Sequence, residues 1–147
     1  MGTSMYVFLV DDDQDDRELF EEVIKGIDDS IDLLMFKNAL ELMEYLNRED
    51  ISLPQIIFLD LNMPLISGTE SLKQIRSNPR FMDISIAIYS TSSLEKDIEE
   101  TFVNGANIYI TKPNDFSILK KTIKNVLNIN WQYFGSGMDR KNFFYNV

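Results

Sequence analysis

Apolar, β-rich runs and amphipathic helical patterns alternate five times along this chain with short connections between them, and that alternation leaves few folds open. The runs are Met5 to Val10, Ile31 to Phe36, Ile56 to Leu59, Ile84 to Tyr89 and Asn107 to Thr111. Helical spacing follows each of them: Asp15 to Lys25 with Leu19, Phe20, Val23 and Ile24; Ala39 to Leu46, capped by Asn38; Thr69 to Arg76; Leu94 to Asn104; and a last helix starting at Asn114 or Asp115 with Ile118, Leu119, Ile123, Val126 and Leu127. Gly26, Asn78-Pro79 and Gly105 supply the stops. Right-handed crossovers turn such a pattern into an α/β fold, a doubly wound parallel sheet with helices on both faces. At 147 residues the chain is the size of one domain.

Composition narrows the chemistry. Twenty-four acids against fourteen bases give a net charge of -10, which argues against direct nucleic-acid binding through a broad basic surface. Cysteine and histidine are both absent, so there is no disulfide frame, no thiolate metal site and no imidazole base. Carboxylates, hydroxyls and lysines must do whatever work is done. No apolar run approaches the ~20 residues that span a bilayer, and no signal pattern opens the chain, so a cytoplasmic protein without a membrane segment is expected. Met1 to Ser4 ahead of Met5 read as an expression remnant.

The central stretch is Gln55 to Gly68, QIIFLDLNMPLISG, in which a buried strand runs into the single acid Asp60 and then into turn formers. An acid there is most often a turn or cap residue. Its company argues otherwise. Asp11 and Asp12 end the first strand, Ser90 opens the hydroxyl series after the fourth, and Lys112 follows the fifth. In a doubly wound sheet these strand ends share one rim, so distant residues converge. Asp13, Asp15 and Asp16 read more simply as acids at a helix start. Three clustered carboxylates repel one another, and Mg²⁺, with its preference for oxygen ligands, answers that repulsion. Lys112 would pair with Asp60 or grip an anion bound there.

Four stretches, VDDD at Val10 to Asp13, FLDLNMPLISG at Phe58 to Gly68, YSTSS around Ser90 and ITKP at Ile110 to Pro113, resemble the response-regulator receiver domains of two-component signalling. The likeness covers Met5 to about Asn128. In finer detail it is similar to single-domain regulators that partner phytochrome-type sensor kinases. The resemblance implies a flavodoxin-like five-stranded sheet of order 2-1-3-4-5, with residues 5–130 as the receiver domain. It also implies that Asp60 accepts a phosphoryl group from a sensor histidine kinase or a phosphotransfer protein. Asp12 and Asp60 would ligate Mg²⁺ directly, Asp11 through a water, and Asn62 by its backbone carbonyl. Lys112 and Ser90 would each bind a phosphoryl oxygen. Drawing Ser90 toward that group would let Tyr109 rotate inward and reshape a protein-interaction face; read blandly, Tyr109 is an edge-strand aromatic packing on a helix. The resemblance further implies a cis bond at Lys112-Pro113, and at most self-directed catalysis of phosphorylation and dephosphorylation.

Residues 131–147, WQYFGSGMDRKNFFYNV, form an aromatic C-terminal extension. It either folds back over its own domain, or extends a homodimer contact of the last helix or docks a kinase. Two other functions compete with the main one. A phosphatase with an aspartyl-phosphate intermediate would place a second acid two residues after the nucleophile, where this chain has Asn62, and would release phosphate from an external substrate. A binding module with a relic pocket would be expected to lack pocket residues.

Overall fold

Burial on both faces accounts for the composition of the strands. Val7 to Val10 in β1 (Tyr6–Val10) and all of β3 (Ile56–Leu59) are inaccessible to solvent, and unbroken apolar runs are what a parallel strand covered on both sides requires. The computed structural model describes residues 5–129 and a short strand at Phe144–Tyr145. The segment at 1–4 and the remainder of the aromatic extension lie outside the described residues, as do the expectations placed on them.

Between these strands the chain forms α1 (Gln14–Ile27), β2 (Asp32–Phe36) and α2 (Ala39–Leu46). After β3 come α3 (Gly68–Arg76), a 3-10 turn at Pro79–Phe81, β4 (Ser85–Ser90), α4 (Glu95–Val103), β5 (Ile108–Thr111), α5 (Phe116–Leu127) and β6 (Phe144–Tyr145). The sheet order is β2-β1-β3-β4-β5-β6, with every neighbouring pair parallel. The expected five-stranded order is thus present, and β6 is an addition to it. β6 pairs Phe144 with Tyr109 and Tyr145 with Ile110, supplying backbone partners along what would otherwise be a bare edge.

Strand alternation sends side chains into two cores. Phe8, Val10, Ile57, Leu59, Ile86 and Ile88 meet Leu42, Leu46, Leu72, Ile75 and Ile98 from α2, α3 and α4. Val7, Leu9, Ile56, Phe58 and Ala87 meet Phe20, Val23, Ile24, Leu119, Ile123 and Val126 from α1 and α5. Short side chains fix where the helices begin: Asp13, Asn38, Ser67 and Asp115 each accept a backbone N–H from the first turn of α1, α2, α3 and α5, a contact usually worth about 1 kcal/mol.

Two local expectations are corrected. Gly26 does not end α1, which continues to Ile27; Asp28 closes it, donating its N–H to the Ile24 carbonyl at 3.0 Å and accepting from Ser30 with its carboxylate. A cap of that kind needs no left-handed residue, so the glycine is carried inside the last turn. Gly105, by contrast, stands at φ +97° and does the turning expected of it after α4. The Lys112–Pro113 bond is trans, as is every peptide bond among the described residues. Trans is the intrinsic preference even before proline, by about 0.5–1 kcal/mol.

Candidate functional site

The carboxyl ends of β1, β3, β4 and β5 meet at one rim, and backbone hydrogen bonds hold them there. Asp11 N–H donates to the Phe36 carbonyl at 3.1 Å, Asp60 N–H to the Val10 carbonyl at 3.0 Å, and Lys112 N–H to the Ser90 carbonyl at 2.7 Å. Carboxylate oxygens of Asp11, Asp12 and Asp60 lie within 4.8 Å of one another. The expected convergence of these acids is therefore found.

Their surroundings differ. Asp11 is fully buried and both its oxygens are engaged, Oδ1 by the N–H of Asp13 at 3.0 Å and Oδ2 by the ammonium of Lys112 at 2.7 Å. Asp12 is exposed at the mouth. Asp60 is buried, and burial pushes its carboxyl up to about 6; Lys112 opposes that rise, Asp11 adds to it, and the backbone N–H groups of Leu61 and Asn62 oppose it.

Lys112 pairs with Asp60 as the sequence suggests, but more closely with two other acids. Its Nζ lies 2.7 Å from Asp11 and 2.8 Å from Asp16, but 3.6 Å from Asp60. Burial alone would lower its affinity for a proton; the bonds from Asp11 and Asp16 and the field of Asp60 outweigh that and hold it above the usual lysine value. The ammonium also stands 5.1 Å from the ring centroid of Tyr89.

Asp16 and Arg17 were invisible as site residues in the sequence. Arg17 donates from Nη1 to the Asp11 carbonyl at 2.8 Å, bracing the turn between β1 and α1. Asp13 behaves as the simpler reading expects and caps α1, accepting the Asp16 N–H at 3.0 Å. Asp16 stands in the first turn of α1 as expected, and its carboxylate also reaches a lysine 96 residues away. Only the placement of both residues beside one rim gives any signal of this.

Ser90 is fully buried at the end of β4, where its Oγ accepts the N–H of Ser92 at 3.1 Å. Tyr109 is fully buried and its phenol donates to the Ser92 carbonyl at 2.8 Å. The ring of Tyr109 is therefore turned into the protein.

Chemically, Asp11, Asp12 and Asp60 form an all-oxygen donor set, and the Lys112 ammonium is shared by Asp11, Asp16 and Asp60. Such a set suits a hard divalent cation.

Comparison with known proteins agrees with this geometry. The family model for the response regulator receiver domain matches residues 7–124. Response regulator Rcp1 of Synechocystis sp. is 30% identical over 124 residues, covering 82% of this chain and 84% of that protein. Chemotaxis protein CheY1 of Helicobacter pylori is 27% identical over 126 residues, covering 86% and 99%. Among solved structures, the phosphorylated cyanobacterial phytochrome response regulator RcpA superposes with a TM-score of 0.79 at 30% identity, over 93% of this chain and 97% of its own. The Mn²⁺-bound form of Rcp1 gives 0.74 at 28% identity, over 92% and 97%.

Proposed function

The chain belongs to the response regulator receiver domain family, and from that premise we propose that it accepts a phosphoryl group on Asp60 from a phosphohistidine and passes the signal on by protein contact or phosphorelay. The observation that carries this reading is the approach of the Asp11, Asp12 and Asp60 carboxylates to within 4.8 Å, with the Lys112 ammonium beside them. Mg²⁺ is the proposed ion, with Asp12 and Asp60 as direct ligands, Asp11 acting through a water and Asn62 through its main-chain carbonyl. When bound, the dication neutralises charge on the transferring phosphoryl oxygens.

Phosphoryl transfer asks the protein for position and charge more than for covalent assistance. An Asp60 oxygen forms the new O–P bond in line with the breaking P–N bond, whose electron pair returns to the imidazole of the donor. Lys112 has an ammonium proton for one phosphoryl oxygen and Ser90 a hydroxyl for another. Moving the Ser90 hydroxyl would break its bond with the Ser92 N–H, and Ser92 in turn holds Tyr109. Charge at Asp60 would thereby reach β5.

The donor we propose is a sensor histidine kinase of the phytochrome type or a phosphotransfer protein, a choice supported by the likeness to a phytochrome response regulator. The protein is a signalling acceptor whose catalysis is limited to its own phosphorylation and dephosphorylation. A cytoplasmic setting fits the absence, among the described residues, of any helix long and apolar enough to cross a membrane. The last helix is proposed as a homodimer contact; within residues 131–147, the pairing of Phe144 and Tyr145 with β5 of the same chain favours the extension folding back over its own domain.

Intact-mass measurement after treatment with acetyl phosphate tests the reading. One phosphoryl adduct is expected on the wild type with Mg²⁺, and none with chelator or on Asp60→Asn. An equal adduct on the variant would overturn the assignment, and steady release of phosphate without an adduct would favour a phosphatase.

A further inference from the structure

Asp16 is a carboxylate of the cluster that the phosphoryl-transfer reading leaves without a role. It is the third residue of α1, where an acid has two ordinary local uses: to favour the helix N-terminus, or to turn back to the N–H of the capping residue. The second use is already taken, since the Asp13 N–H donates to Asp11 Oδ1 at 3.0 Å. Asp16 Oδ2 instead sits 2.8 Å from the ammonium of Lys112. The lysine side chain is 9% exposed and that of Asp16 37%, so this pair is better shielded than an ordinary surface ion pair.

An ammonium has three protons. Asp11 and Asp16 take two of them at hydrogen-bonding distance, and Asp60 Oδ2, at 3.6 Å, lies too far to take the third. We propose that Asp16 is a positioning residue for Lys112, anchoring the ammonium from the α1 side so that one donor stays uncommitted, facing the space in which a phosphoryl group on Asp60 would stand. This inference rests on phosphoryl acceptance at Asp60 and adds a residue to it. Without Asp16, the ammonium is held by Asp11 alone and is free to close on Asp60, occupying the nucleophile it should assist.

The test compares wild type, Asp16→Asn and Asp15→Asn. The last removes the same charge from the same turn at an exposed position. Labelling by acetyl phosphate at saturating Mg²⁺ is followed by intact mass, and hydrogen exchange of the Lys112 ammonium by ¹⁵N NMR, its signal assigned by loss in Lys112→Met. Asp16→Asn should slow labelling about tenfold and quicken ammonium exchange by a similar factor, with Asp15→Asn within about twofold of wild type in both. Asp16→Glu, which restores the charge, should recover part of the rate. The proposal is overturned if either readout is unchanged in Asp16→Asn, or if Asp15→Asn matches it. Should the wild type take no phosphoryl group, the functional reading fails first; should wild type and Asp16→Asn label equally, only the present inference fails.

Discussion

The phenol of Tyr109 donates to the main-chain carbonyl of Ser92 at 2.8 Å from a side chain with no exposed surface. Ser92 in turn donates its N–H to Ser90 Oγ, so one chain of hydrogen bonds runs from the site to the strand that β6 pairs with. Tyr109→Phe keeps the ring and deletes the bond. Loss of about 1 kcal/mol is expected, seen as a lower urea midpoint with an unchanged slope.

Stability of the metal-free protein should fall as pH rises through the range in which Asp60 loses its proton. Burial lifts this carboxyl to about 6, against 3.8 for an ordinary aspartate. Between those values the folded state binds the proton more strongly than the unfolded chain does, so each rise in pH favours unfolding; above about 6 the cost is complete, roughly 3 kcal/mol. Asp60→Asn removes the titrating group. In chelator at pH 7.5 the variant should be the more stable protein, its urea midpoint should vary less between pH 4 and 6, and added Mg²⁺ should stabilise the wild type more than the variant.

Lys112→Met should act in the opposite direction. It strips the ammonium from Asp11, which has no solvent exposure, and leaves that carboxylate with the Asp13 N–H at Oδ1 but without its cation at Oδ2. Breaking a buried pair from one side costs about 3–5 kcal/mol. Chemical denaturation at pH 7.5 in chelator would measure it, with Asp16→Asn, a half-exposed partner, losing less.

Gly68 is required by proximity. A Cβ there would stand 2.2 Å from the Asp60 carbonyl oxygen and 2.7 Å from the Leu61 Cα, both main-chain atoms. The Gly68 N–H also donates to the Leu61 carbonyl at 2.9 Å, clamping the loop that follows β3. Gly68→Ala must therefore push the backbone of Asp60 itself. A loss of about 1–3 kcal/mol is expected, together with weaker Mg²⁺ binding by calorimetry.

Much of this arrangement could be read from residue types and order. The bounds of α2 and β3 were legible because Asn38 offers a cap before one and Pro54 and Asn62 bracket the other with turn chemistry. Convergence of Asp11, Asp12, Asp60, Ser90 and Lys112 followed from topology, since strand ends of a parallel sheet share a rim. The failures have physical reasons too. Gly26 is a strong local breaker, but Ile27 packs on the core beyond it and Asp28 supplies a cap, so the helix runs on. Asp16 has a sufficient local explanation at a helix start, and nothing short of three-dimensional placement shows a partner 96 residues away. β6 is too short for its aromatic β propensity to mark a strand in the sequence, and its partner, the edge of β5, is known only from the fold.

Reductive trapping of the acyl phosphate tests the central claim most directly. Borohydride converts a phosphorylated aspartate to homoserine, and tandem mass spectrometry then reads which residue was labelled. After treatment with acetyl phosphate and Mg²⁺, homoserine at position 60, and at no other aspartate, is the expected result. Homoserine at position 11, 12 or 16 with residue 60 intact would contradict it.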